Sequence, residues 1–193
     1  MGDHAPHPDE QALAARASTD FDAFAELYRH YLPRIHDFAH RRTGNVQAAE
    51  DICSATFESA LRSIGRFRWR PGGLGPWLFR IASRQVVAHY RREGRASSDR
   101  GQAAMASLAP AVAPGVDEVA LEDDGELRLA LSGLNKRYQE AISLRYLAHL
   151  DTGDAAAAMG LTKAAFSVVL TRATKALQRE LERTEGDTPR GGE

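Results

Sequence analysis

The chain has 193 residues, 43% hydrophobic and 26% charged, the make-up of a soluble globular protein with room for one large or two small domains. No apolar run approaches the roughly 20 residues of a membrane span, and residues 1–10 lack the basic start and apolar core of a signal peptide, so a cytoplasmic location is expected. The net charge of −1 conceals a segregation. Residues 21–95 carry 13 Arg against 7 acids (+6), residues 96–126 balance at −6, and residues 127–185 return to +3. Two basic blocks joined by an acidic one suit two modules that touch nucleic acid and a connector that does not.

Taken in chain order, the periodicities give an all-α fold of two small helical domains joined by a flexible acidic linker. Residues 1–19, which contain Ala, His and Pro, are expected to be disordered. A first helical domain is predicted over residues 20–95. Within it, Ala49 to Leu61 reads as a helix with Cys53, Phe57, Ala60, Leu61 and the following Ile64 on one face. Glu50, Asp51, Ser54 and Glu58 lie outside that face.

Next comes Arg66-Phe67-Arg68-Trp69-Arg70-Pro71, cations interleaved with aromatics, ended by Gly72, Gly73 and Gly75. Ring faces on which bases stack, alternating with guanidinium groups for phosphates, are what single-stranded nucleic acid requires. Pro76 opens a further helix, as proline favours the first helical position. Along it Trp77, Leu78, Ile81, Ala82, Val86 and Tyr90 recur at helical spacing. Arg80, Arg84 and Arg91 fall within roughly 40° of one another, so one face packs while another follows a phosphate backbone.

Residues 96–126 are the linker, rich in Ala, Pro and Gly. Three readings of its acids stay open: mimicry of nucleic acid in a partner's basic channel, folding back on the basic helix, or solvation of a linker. A second helical domain is expected over 127–184, with Asp151 as a cap, Gly160 at the turn and Thr162 capping the last helix, a helix-turn-helix spacing. Residues 185–193 form a disordered tail.

Other residues draw plainer readings. Cys53, the only cysteine, is a small core residue rather than a nucleophile. His36 and His40 are spaced like metal ligands but lack a third, so no metal is assigned. No phosphate-cradling loop and no Ser, His and Asp set appears, so neither an enzyme nor a cofactor is expected. Phe67 suits the core or the surface equally, whereas Trp69, between two arginines, is expected at the surface near DNA. Val168 and Val169 are either buried or an exposed apolar patch.

Phe21 to Ile35, Ala49-Glu50-Asp51-Ile52 with Thr56-Phe57, Pro76 to Ala82 and Tyr90-Arg91-Arg92 resemble region 2 of the bacterial RNA polymerase sigma factors of the extracytoplasmic-function class. Arg137, Glu140, Leu144-Arg145-Tyr146, Leu150, Ala156, Gly160-Leu161-Thr162, Leu170, Arg172-Ala173 and Ala176-Leu177 resemble the region 4 helix-turn-helix. The resemblance implies contact of Glu50, Asp51, Ser54 and Glu58 with the clamp helices of the largest subunit of core RNA polymerase, while the second domain sits on the flap of the second-largest. It further implies minus-ten DNA contacts by Arg66, Arg68, Trp69, Arg70, Trp77, Arg80, Arg84, Arg91 and Arg92. Minus-thirty-five contacts fall to Lys163, Ser167, Thr171, Arg172 and Lys175, and an anti-sigma factor is a further possible partner.

The chain departs from the family pattern at Ser54 and Ala55, where Gln and Glu are usual, and at Arg84 and Ala88, where Asn and Asp are usual. It departs most at Ser167-Val168-Val169, in place of a Lys-Ser-Arg-like triplet. Valine hydrogen-bonds neither base nor phosphate, so weak reading of the upstream element is expected. These departures support the alternative of a DNA-binding or polymerase-associated accessory regulator with this architecture and no initiation activity of its own.

Overall fold

The structure, a computed structural model, describes residues 7–70, 72–106 and 122–186. Among them every regular element is helical: α1 (Glu10–Arg16), α2 (Phe21–Thr43), α3 (Val46–Ser63), a 3-10 turn (Ile64–Arg66), α4 (Gly75–Ala106), α5 (Glu122–Gly133), α6 (Lys136–Ile142) running into a π-helical turn (Ser143–Leu147), α7 (Thr152–Met159) and α8 (Lys163–Gly186).

Local chemistry sets the boundaries. The Asp20 carboxylate accepts from the Ala23 amide at the start of α2, and Asn45 accepts from Ala48 at the start of α3. Between them Gly44, at φ 67°, takes the left-handed turn that ends α2. Asn135 caps α6, Asp151 caps α7 and Thr162 caps α8, while Gly160 turns the chain at φ 69°. The cap and turn residues read from the sequence for the helix-turn-helix occupy those positions.

In the first half α2, α3 and α4 pack together over Leu27, Tyr31, Ile35, Phe38, Ile52, Phe57, Phe79 and Val86. Phe38 and Phe79 meet edge to face at 5.5 Å. In the second half α5, α6 and α7 all pack on α8, around Leu144, Ala155, Phe166 and Ala173. The two halves also meet, α4 against α7 and α2 against α5 and the π-helical turn, and their buried residues form one continuous cluster.

Several expectations are corrected. The N-terminus is not wholly irregular: α1 docks on α2 through Leu13, Ala14 and Ala17, whose spacing puts three apolar groups on one face. Leu61 is 45% exposed and off the α3 stripe; Ala49, Ile52 and Thr56 are buried on it instead. α4 continues past residue 95 to Ala106, and α5 begins at Glu122, both inside the expected linker. Of the linker acids, Asp117 and Glu118 lie outside the described residues, as does the tail from 187. Val169 is buried in the core and Val168 is 51% exposed, so the pair divides between the two readings.

Candidate nucleic-acid interface

α4 is amphipathic about a line through Leu78, Ala82 and Val86, which are buried against α2 and α3. That packing turns Arg84, Arg91 and Arg92 outward and leaves Arg80 half-buried. The loop before α4 leaves Arg66, Arg68 and Arg70 exposed. Phe67 is half-buried against Trp77, ring centroids 5.2 Å apart, while Trp69 meets Phe67 edge-on and stays 39% exposed. One end of α4 thus offers a cation-rich surface with an aromatic ring on it, the combination that stacks bases and holds phosphates.

Glu50, Asp51, Ser54 and Glu58 are all exposed on α3, opposite the buried stripe. They form an acidic face, and Ala55 among them shares a cavity with Arg91 and Arg92 of α4. On α8, Lys163, Ser167, Thr171, Arg172 and Lys175 are exposed. The hydroxyls of Ser167 and Thr171 donate to the carbonyls of Lys163 and Ser167, each at 2.9 Å, so only their acceptor lone pairs face outward.

The seam between the halves is made by contacts that periodicity did not indicate. The Arg80 guanidinium donates to the carbonyls of Ala157 and Ala158 at the C-terminal end of α7, where the helix dipole favours a cation. Arg42, buried, donates to the Ser143 hydroxyl and the Gln139 carbonyl, and the Tyr90 hydroxyl donates to the Arg42 carbonyl. Burial lowers the Arg42 pKa, which the nearby Tyr90 and Glu140 partly offset. Burial raises the pKa of Glu140, against the cations of Arg80, Arg84 and Arg42. Cys53 is a buried thiol whose pKa is pushed up to about 11 by burial and Glu50.

Asp154 of α7 reaches the glycine turn: a Cβ on Gly72 would stand 2.0 Å from its Oδ1. Burial, then the neighbouring Asp151, raises its pKa to about 6; Glu10 adds to the rise, while Arg34 and Lys163 oppose it. A carboxyl that holds its proton more tightly when folded stabilises the fold increasingly as pH falls from about 6 toward the ordinary value of 3.8. Thermal melts should therefore show the wild type gaining on Asp154→Asn as pH drops from about 7 to about 5. Parallel pH profiles of the two proteins would disprove this.

Among the described residues no group of three or more His, Cys, Asp or Glu stands close enough to hold a metal ion, His36 and His40 included. No single described helix is long and apolar enough to cross a membrane.

Two helical modules, one carrying a basic loop and helix and the other a capped helix-turn-helix, give the chain the architecture of the sigma factors. The family profile for sigma-70 region 2 matches residues 27–96, and that for sigma-70 region 4 matches residues 124–177. The chain is 32% identical over 176 residues to the extracytoplasmic-function sigma factor BldN of Streptomyces coelicolor, covering 89% of this chain but only 64% of that protein. It is 30% identical over 131 residues to SigK of Mycobacterium sp. strain KMS, covering 67% of this chain and 68% of SigK. A solved structure of the sigma factor RpoE with the anti-sigma factor NepR, from Bartonella quintana, superposes with a TM-score of 0.58 at 25% identity, over 82% of this chain and 96% of that one. The chain belongs to the extracytoplasmic-function RNA polymerase sigma factors.

Proposed function

We propose that the chain acts as a dissociable promoter-specificity subunit of RNA polymerase, working in the cytoplasm by binding alone. The acidic face of α3 docks on the clamp helices of the largest subunit, and the second module sits on the flap of the second-largest. The basic loop and α4 take the minus-ten element, and α8 lies on the minus-thirty-five element. The observation that carries this reading is the pair of exposed surfaces: α3 presents acids, and the loop and α4 present arginines beside an exposed tryptophan.

In this mechanism a minus-ten base leaves the stack, at a cost of a few kcal/mol, and enters the loop between Arg66 and Gly75. Capture stabilises only melted DNA and shifts the equilibrium toward it. Arg80 cannot hold a phosphate while it caps α7, so the second module must swing off α4 first. The arrangement described above is then the form free of polymerase, and an anti-sigma factor would act by holding it.

Run-off transcription by core polymerase on host genomic fragments tests the whole reading. With the protein added, new starts should share a firm minus-ten motif and a loosely specified upstream element, because Val168 and Val169 leave few groups that read bases. No new starts, despite binding to core, would refute it.

A further inference from the structure

Glu10 opens α1, outside the residues matched to region 2, yet it is only 2% exposed. Its Oε1 accepts from the Tyr31 hydroxyl at 2.8 Å and from the Leu74 amide at 2.6 Å. Its Oε2 is buried and, among the described residues, has no hydrogen-bond partner. Burying a carboxylate with one oxygen unsatisfied is costly, and the apolar contacts of Leu13, Ala14 and Ala17 already dock α1 without it.

What the carboxylate adds is a hold on the loop. Gly72 and Gly73 run in left-handed conformations, at φ 97° and 72°, and a Cβ on Gly73 would stand 3.0 Å from Glu10 Oε2. Within the turn the backbone is tied by the Gly73 amide donating to the Arg70 carbonyl. The next amide, that of Leu74, goes to Glu10, so a residue distant in sequence fixes where the turn ends and α4 starts. Beside it lies a cavity of about 280 Å³ lined by Glu10, Tyr31, Arg34, Trp69 and Gly73, and in this arrangement also by Leu150 and Asp154 of the second module.

We propose that Glu10 is a positioning residue for base capture: by holding the Leu74 amide it keeps the glycine turn shaped as one wall of the pocket that receives the unstacked minus-ten base. This rests on the reading of the Arg66–Gly75 loop given above. The brace comes from an N-terminal helix beyond the matched region, so pocket shape depends on a segment outside region 2.

The test separates the brace from the reading beneath it. In the free protein, amide exchange at Leu74 should quicken about tenfold or more in Glu10→Ala and stay near wild type in Glu10→Gln, whose amide oxygen accepts the same two bonds. In holoenzyme, forked promoter DNA carrying 2-aminopurine at the mapped minus-ten position should brighten on capture with wild type and E10Q. With E10A the signal should fall about fivefold or more. Helicity and affinity for core should be equal in all three, which excludes simple unfolding. Normal capture by E10A, or E10Q failing as badly as E10A, overturns the proposal. No brightening with wild type overturns the loop reading and the role of Glu10 in capture with it, while Leu74 exchange still reports whether the brace exists.

Discussion

Replacing Arg80 and Arg84 together with alanine is expected to cut open-complex formation about a hundredfold while leaving affinity for core polymerase within about twofold. A charge-assisted contact to a phosphate is worth about 1.5 kcal/mol, or roughly tenfold, and two are lost. Both side chains lie off the line through Leu78, Ala82 and Val86 that packs α4, so the fold should survive. Arg80 has a second role in the free protein, capping α7, and its loss there loosens the second module. The measurement therefore belongs in holoenzyme, where the mechanism has that module already displaced. The salt dependence of opening gives a separate check, since losing two single-strand phosphate contacts should flatten the slope by roughly 1.4. Permanganate footprints of undiminished strength would show that these arginines do not hold the melted strand.

The helical caps were legible because capping is local: Asp151, Gly160 and Thr162 act on amides and turns within a few residues of themselves. The exposed face of α3 was legible for a similar reason, because periodicity alone turns Glu50, Asp51, Ser54 and Glu58 away from the stripe. Leu61 shows where that reasoning stops. It lies near the edge of the apolar face, and whether such a residue is covered depends on a neighbouring helix that the sequence does not place.

The seam was illegible because each of its contacts joins residues far apart in the chain. Arg42 with Gln139 and Ser143 and Arg80 with Ala157 and Ala158 leave no local pattern, and neither does Glu10 with Leu74 inside the first half. The Ala-rich run after Glu10 does hold a signal for α1 in the spacing of Leu13, Ala14 and Ala17, which its composition masks. Arg80 shows a further limit. Its place on a basic stripe marked it for DNA, and nothing in that stripe indicated that the same guanidinium closes the free molecule on itself.

Reversing charge on α3, with Glu50→Lys, Asp51→Lys and Glu58→Lys combined, is expected to weaken binding to core polymerase about a hundredfold or more, because like charges facing across an interface cost several kcal/mol. Fold stability should barely change. The buried side of α3 (Ile52, Cys53, Thr56, Phe57 and Ala60) is untouched, and the ion pair lost among the described residues, Glu58 with Arg62, is an exposed pair of little worth. Ser54 and Ala55 sharpen the argument. Where the family usually offers Gln and Glu, this chain offers a hydroxyl and a methyl, so the proposed hold on the clamp would rest more heavily on the acids that remain. Restoring the pair with Ser54→Gln and Ala55→Glu should therefore tighten core binding several-fold, by about 1 kcal/mol for the added polar contacts. Fluorescence titration of core with labelled protein reads both effects. If reversal leaves the affinity unchanged, docking does not run through α3, and the second module must carry attachment to polymerase by itself.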